Sequence, residues 1–530
     1  MQMIDGDVQS FPLTLNQFLD HAAKWCPTSE VVTACDDGTL ARVNYSDLRT
    51  RSLKVSALLR SYGVEQGTRV ATLAWNTQGH VEAWFAIMGM GGICHTLNPR
   101  LTPDQLSQML HQSEAEILFV SPDLVPLAQK VAVLTPQLAK VLVLDVAGFE
   151  GETGPATIHA LEPLIPAQSG DVVWGQFPET APCGLCFTSG TTGAPKGVTY
   201  THRSSYLHTL RVLQAEVMAI TRRDAVLAVV PMFHANAWGL PFATAAVGAK
   251  LVLPGRRLDG GSLADLIQKA KVTIGVGVPT VWLSLLEYVE ANGLELPTLE
   301  RIIVGGAPMA PALMERLETR LGVTIQTSWG MTELSPSGTV APPYTRTRSA
   351  SLSGRPAVGV DLLLTDEAGQ PLANQRGEEG HLKVRGCAVV ERYFGQETKA
   401  TEDNGWFATG DLARLDHDGN LTITGRAKDL IKSGGEWINP AEIEAIIGVI
   451  PGVSLAAVIG RADSKWGERP ILLVETAADA AIEDEALLAP LKGRVASWWI
   501  PDAVIRVDKM PLAATGKIDK LKLRAEFGAE

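Results

Sequence analysis

The chain predicts an α/β protein with a large N-terminal domain of doubly wound sheets, a small β-barrel-like subdomain and a small α+β C-terminal domain. Its 530 residues exceed what one hydrophobic core supports, so several structural units are expected. Short apolar runs alternate with helical patterns between residues 70 and 304, which is typical of largely parallel sheets. The pattern changes near residue 357 and again near residue 425, which divides the chain further.

In the N-terminal domain, residues 1–427, the spacing of apolar residues predicts each element in turn. Residues 15–25 and 45–59 are expected to be helical, on either side of a strand pair at 31–43 that turns at an Asp-Asp-Gly sequence. Residues 81–90 predict an apolar helix. The remaining predicted strands are 70–75, 115–120, 141–144, 181–187, 225–230, 250–253, 272–278 and 301–304.

Short strands with intervening turns predict the β-rich subdomain at about 355–427, and a mixed pattern predicts a separate C-terminal domain at 428–530. The subdomain strands are 360–365, 380–386 and 421–425. The C-terminal domain is expected to contain helices at 440–447 and 486–498 and strands at 453–459, 471–475 and 503–507.

Composition excludes several classes of protein. The net charge of −12 and the pI near 5.4 argue against a general nucleic-acid binder. The first residues lack the apolar core of a secretory signal, and no apolar run reaches the length of a membrane span. The six cysteines are sparse, and the Cys183-x-x-Cys186 pair lacks two further zinc ligands nearby. We therefore expect a cytoplasmic protein with no integral membrane segment and no nucleic-acid partner.

Residues 188–197, Thr-Ser-Gly-Thr-Thr-Gly-Ala-Pro-Lys-Gly, follow a predicted strand and precede a predicted helix. Glycines let backbone N–H groups approach an anion, hydroxyls bind phosphate oxygens or Mg²⁺, and a lysine adds a point charge. The spacing differs from that of P-loop NTPases. Taken alone, the segment is equally consistent with a phosphate-binding loop and with a polar surface turn.

Further motifs lie after predicted strands, where α/β proteins bind ligands. His234 follows the strand at 225–230, Gly305 and Gly306 follow the strand at 301–304, and Glu333 ends a Gly-Met-Thr-Glu sequence. Glu333 is a candidate Mg²⁺ ligand, and Thr332 or Glu333 also suits the first turn of a capped helix; the two roles are compatible. Asp411 is a candidate ribose ligand, or else part of an Asx turn.

Two charged segments lie towards the C-terminus. The run Gly425-Arg-Ala-Lys-Asp-Leu-Ile-Lys-Ser-Gly-Gly-Glu436 spans the suspected domain boundary and suits either a solvated linker or a hinge that contacts a ligand. Lys517 follows a glycine, which exposes its amine on a turn, although a single lysine in a tail is usually a solvated charge.

In combination and order, these motifs resemble those of the adenylate-forming superfamily: acyl-CoA synthetases, peptide-synthetase adenylation domains and luciferases. The resemblance runs from about residue 15 to about residue 525. It implies that a carboxylic acid reacts with Mg-ATP to give acyl-AMP and pyrophosphate, and that CoA then displaces AMP. It also implies a mobile C-terminal domain that rotates about Lys428, withdrawing Lys517 and bringing 434–436 to the site.

The resemblance also implies a role for each matching residue. Lys517, His234 and Glu333 are the catalytic residues, with Lys517 between the two reacting anions. Thr188 and Glu333 are the metal ligands. The ATP-binding set is Thr188, Ser189, Gly190, Thr191, Thr192, Gly193, Lys196, Gly306, Ala307, Trp329, Gly330, Met331, Thr332, Asp411, Ile423 and Arg426. The acyl pocket is His234, Trp238, Gly305, Gly306, Trp329 and Gly330. The CoA-binding set is Lys432, Ser433, Gly434, Gly435 and Glu436.

Within the superfamily, the segments 231–241 and 277–282 look most like fatty acyl-CoA synthetases. In long-chain members the tryptophan that matches Trp238 gates a lipid tunnel. Trp329 replaces the tyrosine common in the family, and its larger indole would narrow the acyl pocket. Short- to medium-chain acids are therefore favoured. Methylthiopropionate, long-chain, aromatic and steroid side-chain acids stay open as alternatives.

Other functions are compatible with the same fold. An adenylation enzyme that loads a carrier protein is one, although the few residues after Lys517 predict no fused carrier domain. A light-emitting oxygenase is another. A nucleotide sensor without catalysis would be a protein of a different class, and the presence of Lys517, Glu333 and Asp411 argues against it. A homodimer is one expected assembly.

Overall fold

The computed structural model describes residues 6–149, 156–188, 195–345, 348–434, 436–477, 482–513 and 517–529. By its internal contacts the chain forms two compact units. The first unit comprises Met1–Thr188, Gly197–Leu213 and Ile220–Arg256, and the second comprises Ser189–Lys196, Gln214–Ala219 and Arg257–Glu530. The mixed α/β class, with a large sheet-rich N-terminal domain and a smaller C-terminal one, is confirmed. The boundary at residue 428 stays a prediction.

The first unit contains eleven strands and seven helices among its described residues. The strands are β1 Glu30–Ala34, β2 Leu40–Asn44, β3 Arg69–Leu73, β4 Ile93–Thr96, β5 Ile117–Val120, β6 Lys140–Val143, β7 Thr157–Ala160, β8 Pro182–Thr188, β9 Lys196–Thr201, β10 Ala225–Ala228 and β11 Lys250–Leu253. The helices are α1 Asn16–Trp25, α2 Tyr45–Ser61, α3 Gln78–Gly89, α4 Pro103–Ser113, α5 Val125–Leu134, α6 His202–Val212 and α7 Leu240–Val247.

Seven strands of this unit form one sheet in the order β7-β6-β5-β3-β4-β8-β9, parallel from β7 to β8. The strands β10, β11 and β1 lie side by side in parallel, with β2 antiparallel to β1. Helices α4 and α5 cover one face of the seven-stranded sheet and form a core with β3, β5 and β6. Helix α3 is buried over nearly its whole length, which explains why apolar residues occupy most of its positions.

The second unit contains fourteen strands and six helices among its described residues. The strands are β12 Ile274–Gly277, β13 Arg301–Val304, β14 Thr324–Gly330, β15 Ser337–Val340, β16 Arg355–Pro356, β17 Val360–Thr365, β18 Glu379–Gly386, β19 Phe407–Leu415, β20 Leu421–Arg426, β21 Ile431–Ser433, β22 Glu436–Ile438, β23 Val453–Asp463, β24 Gly467–Thr476 and β25 Val504–Arg506. The helices are α8 Gly260–Ala270, α9 Pro279–Asn292, α10 Pro311–Leu321, α11 Pro440–Ile447, α12 Asp484–Leu488 and α13 Lys520–Phe527.

Three groups of strands organise this unit. Strands β12, β13 and β14 are parallel neighbours, and β15 and β16 continue from β14 in antiparallel pairs. Strands β17 to β20 form a four-stranded antiparallel meander where the β-rich subdomain was expected. A C-terminal sheet has the order β22-β21-β24-β23, with β25 parallel to β24. Its two faces carry separate apolar cores.

The prediction of a helix over 486–498 is wrong in its extent, because the observed helix is much shorter. Helix α12 ends at Leu488 and is followed by 3₁₀ turns at Ala489–Leu491 and Ser497–Trp499. Pro490 provides no backbone N–H donor, and Gly493 adopts a positive φ of 75° that a right-handed helix does not allow. Within the described ranges, no helix combines the length and apolar character that a membrane crossing requires.

Gly354 provides a test of backbone packing in the second unit. Its φ is +78°, and a Cβ placed there would lie 2.0 Å from the carbonyl carbon of Val340 and 2.1 Å from the nitrogen of Ala341. Because backbone atoms cannot move aside easily, we expect Gly354→Ala to lower the free energy of unfolding by about 3 kcal/mol or more. Urea titration followed by tryptophan fluorescence measures this.

The matched control is Gly38→Ala. Gly38 has a similar φ of +84°, but a Cβ there meets nothing within 4 Å. That variant therefore carries only the cost of the left-handed conformation, about 1 kcal/mol. Equal effects of the two substitutions would show that the contact with Val340 does not matter.

Candidate functional site

A buried carboxylate forms the centre of the charged cluster in the second unit. Asp411 lies on β19, its side chain 2% exposed, directly opposite Arg426 on β20. The Arg426 Nε lies 2.6 Å from Asp411 Oδ1, and the Trp329 indole Nε1 donates to Asp411 Oδ2 at 2.9 Å. Each carboxylate oxygen therefore has one protein donor. The antiparallel register of β19 and β20 and the end of β14 create this arrangement.

Burial and charge act in opposite directions on Asp411. Burial disfavours the ionised form and raises the pKa of the carboxyl, while Arg426, the Trp329 hydrogen bond, Lys517 and Lys428 act to lower it. The net pKa lies above the ordinary value for aspartic acid. The charge of Asp411 therefore depends on the donors around it.

Lys517 belongs to the same cluster. Loss of hydration lowers the pKa of its ammonium, Arg426 and Lys428 lower it further, and Asp411 and Glu333 oppose them. Because the residue as a whole is exposed, we attribute the lower pKa of Lys517 to the neighbouring cations more than to burial. The structure thus brings Lys517 into the electrostatic field of Asp411, Arg426 and Glu333. All three residues lie more than ninety positions before Lys517 in the sequence. The preceding residues 514–516 lie outside the described ranges.

Glu333 lies in the 3₁₀ turn Thr332–Leu334 that follows β14, and it is 8% exposed. Tyr393 donates its hydroxyl to Glu333 Oε1 at 3.0 Å, and the backbone N–H of Val390 donates to the Glu333 carbonyl at 2.7 Å. The Lys196 Nζ lies 4.9 Å from the centre of the Tyr393 ring. Tyr393 therefore contacts residues from two of the predicted motifs.

The predicted hinge residue Lys428 lies in the 3₁₀ turn Ala427–Asp429, directly after β20. Burial, together with Arg426 and Arg524, lowers the pKa of Lys428. Arg524 on α13 also pairs with Asp429 at 3.1 Å. The turn is thus tied to the C-terminal helix on one side and to β20 on the other.

The predicted CoA-binding residues lie on the hairpin of β21 and β22, in which Ser433 pairs with Glu436. Ser433 is buried, whereas Lys432 and Glu436 are exposed. Gly434 has a φ of +61° and donates its N–H to the carbonyl of Trp466 at 2.8 Å. Gly435 lies outside the described residues.

His234 and Trp238, both half-buried, lie in the first unit after β10. The buried side chain of Asn76 accepts from the Met232 N–H at 2.7 Å and donates to the carbonyls of Ala228 and Val230 at 2.8 and 2.9 Å. These three bonds fix the chain that leads to His234. From Ala235 to Trp238 the φ angles are 45°, 51°, 46° and 52°, a left-handed run of residues that are not glycine. Such strain is unusual and clusters at functional sites.

The other predicted site residues lie near strand ends. Thr188 ends β8, while Ser189, Gly190, Thr191, Thr192 and Gly193 fall outside the described residues. Gly305, Gly306 and Ala307 follow β13, and Gly306 has a φ of +79°. Gly330 ends β14, where a Cβ would lie 2.3 Å from the Pro336 carbonyl oxygen. Met331 and Thr332 follow it, and Ile423 is half-buried on β20.

Two residues of the site are missing from the sequence-based prediction: Tyr393 and Asn76. Tyr393 lies 60 residues from Glu333 in sequence, and Asn76 lies 156 residues from Met232. The only local signal is for Asn76, a polar residue directly after the predicted apolar strand at 70–75. Tyr393 has no local signal, because its role depends on a distant partner.

Comparison with known proteins places this geometry in context. A family model described as AMP-binding enzyme matches residues 19–394, and a model described as AMP-binding enzyme C-terminal domain matches residues 442–517. The two models lie on either side of residues 395–441, the segment that contains Asp411, Arg426 and the hairpin of β21 and β22.

Relatives match over nearly the full length. The 3-methylmercaptopropionyl-CoA ligase of Ruegeria lacuscaerulensis is 40% identical over 98% of this chain and 98% of its own. The long-chain-fatty-acid–CoA ligase of Thermus thermophilus is 38% identical, over 97% and 96%. The medium-chain-fatty-acid–CoA ligase of Ectopseudomonas oleovorans is 36% identical, over 99% and 97%. The crystal structure of the anthranilate CoA ligase AuaEII with anthranoyl-AMP matches with a TM-score of 0.87 at 25% identity, over 98% of each chain.

Trp329→Phe tests the hydrogen bond to Asp411. Loss of the indole donor removes a bond to a charged group, which is worth roughly 1.5 kcal/mol, so we expect AMP to bind about tenfold more weakly at neutral pH. The pKa of Asp411 rises further without this donor. On acidification the Asp411 carboxylate is then protonated at a higher pH. The acid limb, the pH range in which AMP binding weakens on acidification, therefore moves to higher pH. Titration calorimetry across pH measures both effects.

The control is Trp282→Phe. The Nε1 of Trp282 is buried and has no hydrogen-bond partner, so this substitution removes an indole without removing such a bond. An acid limb at the same pH in Trp329→Phe as in the unsubstituted protein would contradict the role given to Trp329.

Proposed function

Because the chain belongs to the AMP-binding enzyme family, we propose that it is an ATP-dependent fatty acid–CoA ligase that prefers short- to medium-chain acids. The predicted superfamily is confirmed by the family match, and the predicted class, an acid–thiol ligase, is confirmed by relatives that are CoA ligases. The observation that carries the proposal is the cluster of Asp411, Arg426 and Lys517, all within the second unit.

In the first step a carboxylate oxygen of the acid attacks the α-phosphorus of ATP. The bond to the bridging oxygen breaks, and pyrophosphate leaves. Both reactants are anionic, so a cation between them offsets their repulsion and stabilises the transition state. We assign this role to Lys517, whose ammonium already lies in the field of Asp411 and Glu333.

Asp411 is assigned to the ribose of the nucleotide. An ionised carboxylate can accept a hydrogen bond from each of two neighbouring hydroxyls, and lone pairs remain on both oxygens beside the bonds from Arg426 and Trp329. Arg426 opposes the effect of burial and lowers the pKa of the carboxyl, which favours its ionised form. This arrangement orients the ribose without reorganising the protein.

Glu333 suits Mg²⁺, which takes one or two carboxylates together with phosphate oxygens. When bound, the metal would offset the charge of the phosphates. The bond from Tyr393 orients the Glu333 carboxylate, and the same ring lies beside Lys196. In the described parts of the chain, no group of three or more His, Cys, Asp or Glu side chains is arranged to hold a metal.

In the second step the CoA thiolate attacks the acyl carbonyl carbon, and AMP leaves. We assign the hairpin of β21 and β22 to CoA and the turn at Lys428 to the hinge, as the sequence predicts. The hinge, the acyl pocket, a cytoplasmic location and a homodimer stay predictions. A carrier-protein-loading enzyme and a nucleotide sensor are the more remote alternatives.

We favour a short- to medium-chain acid as the substrate, because the sequence comparison predicts that the indole of Trp329 narrows the acyl pocket. The relative with 40% identity is a 3-methylmercaptopropionyl-CoA ligase, so 3-(methylthio)propionate is the specific second candidate. The long-chain relative keeps fatty acids of greater length among the alternatives.

A pyrophosphate-release assay with ATP, Mg²⁺ and CoA tests the proposal. Saturated acids from two to sixteen carbons and 3-(methylthio)propionate are compared by kcat/KM. We expect a maximum between about four and ten carbons. A kcat/KM that still rises at sixteen carbons contradicts the chain-length preference. Repeated release of pyrophosphate and AMP in the absence of CoA contradicts the ligase activity.

Lys517→Ala separates the two steps. Removing the cation between the reacting anions should lower the rate of acyl-AMP formation by about a thousandfold, the scale found when one stabilising group is removed. Thioester formation from supplied acyl-AMP should change by less than about threefold, since in that step the thiolate displaces AMP after the implied domain rotation has withdrawn Lys517. Equal losses in both half-reactions would contradict the assignment. Lys522→Ala, on the exposed side of the nearby helix, serves as the control.

A further inference from the structure

The start of β24 holds the hairpin of β21 and β22 in place. The Trp466 carbonyl accepts from the Gly434 N–H, and Glu468 Oε2 accepts from the Lys432 N–H at 3.2 Å. Ser433 pairs with Gly467 across the sheet. The backbone of the hairpin therefore depends on the residues at the start of β24.

Arg469 extends this support with its side chain. Its Nη1 donates to Ser433 Oγ at 3.2 Å and to the Trp498 carbonyl at 2.8 Å. Its Nε and Nη2 donate to the two oxygens of Asp502 at 2.8 and 2.7 Å. The side chain is 14% exposed and joins Ser433 on β21 to the segment that contains Trp498 and Asp502. The planar fork satisfies all of these acceptors at once, which an ammonium cannot do.

We propose that Arg469 is a positioning residue for acyl transfer to CoA, which acts through Ser433 to fix the hairpin of β21 and β22. The inference rests on the proposed ligase activity and on the assignment of this hairpin to CoA. Arg469 itself needs no contact with CoA. Its four bonds fix the side chain of Ser433 relative to Asp502 and Trp498, so the hairpin is preorganised before the thiol arrives.

The adenylation step provides the internal reference. Asp411, Arg426 and Glu333 make none of these contacts, so loss of the Arg469 fork should leave acyl-AMP formation intact. A residue with a merely structural role would instead lower both steps together, or only the stability of the protein.

The chain offers a matched control in the same sheet. Arg506 on β25 pairs with Asp484 at 2.6 Å and donates to the Ile482 carbonyl, so it too combines a carboxylate and a carbonyl acceptor. It makes no contact with the hairpin among its hydrogen bonds in the structure. Arg506→Lys therefore reports the cost of losing a hydrogen-bonded guanidinium in this domain without disturbing Ser433.

The experiment compares Arg469→Lys with Arg506→Lys in the full chain. Thioester formation is measured from supplied acyl-AMP at varied CoA, and pyrophosphate exchange measures adenylation. For Arg469→Lys we expect the KM for CoA to rise about tenfold, with pyrophosphate exchange within twofold of the unsubstituted protein. Arg506→Lys should change neither by more than twofold.

Ser433→Ala and the double variant complete a mutant cycle. If Arg469 acts through Ser433, the double variant should raise the KM for CoA no further than Arg469→Lys alone. Equal effects of Arg469→Lys and Arg506→Lys on CoA, or additive effects in the cycle, would overturn the inference. An unsubstituted protein that forms acyl-AMP but no thioester would instead refute the proposed ligase activity, and the two failures are thus distinguishable.

Discussion

The buried charge of Asp411 constrains the rest of the second unit. A carboxylate that is 2% exposed remains ionised only if donors replace the lost hydration, and here Arg426 and Trp329 provide them. The strand register must place Arg426 opposite Asp411, since a slip of one residue would move its side chain to the other face of the sheet. The meander of β17 to β20 and the end of β14 therefore have to form together. A local change in any of them alters the charge of one carboxylate.

The same electrostatic field reaches the C-terminal part of the chain. Lys517, Lys428 and Arg426 each affect Asp411, and Arg524 connects the turn at Lys428 to the last helix. Cations from three segments thus lie around two acidic residues. Cations this close together repel one another unless anions lie nearby. The repulsion therefore favours binding of a ligand with several negative charges. The arrangement links the stability of the cluster to nucleotide binding rather than to burial of apolar surface.

Much of the fold follows from local patterns, whereas the contacts within the site do not. The apolar runs at 115–120 and 301–304 predict buried parallel strands, and the structure has β5 and β13 there, because strands buried on both faces must be continuously apolar. The helix at 486–498 fails because Pro490 and Gly493 override its apolar spacing. The roles of Tyr393 and Asn76 depend on partners far along the chain, which the local sequence does not identify. The family resemblance identified the motifs, but not the side chains that orient them.

The left-handed run at Ala235–Trp238 has a consequence for how this part of the chain can vary. A left-handed turn brings each Cβ close to the following carbonyl oxygen, and branched side chains would worsen that clash. Alanine and asparagine, which have small side chains or side chains unbranched at Cβ, occupy the first three positions of the run. Tryptophan at position 238 is the exception, because a left-handed backbone does not favour such a large side chain. Substitutions in this segment are therefore limited first by the handedness of the backbone.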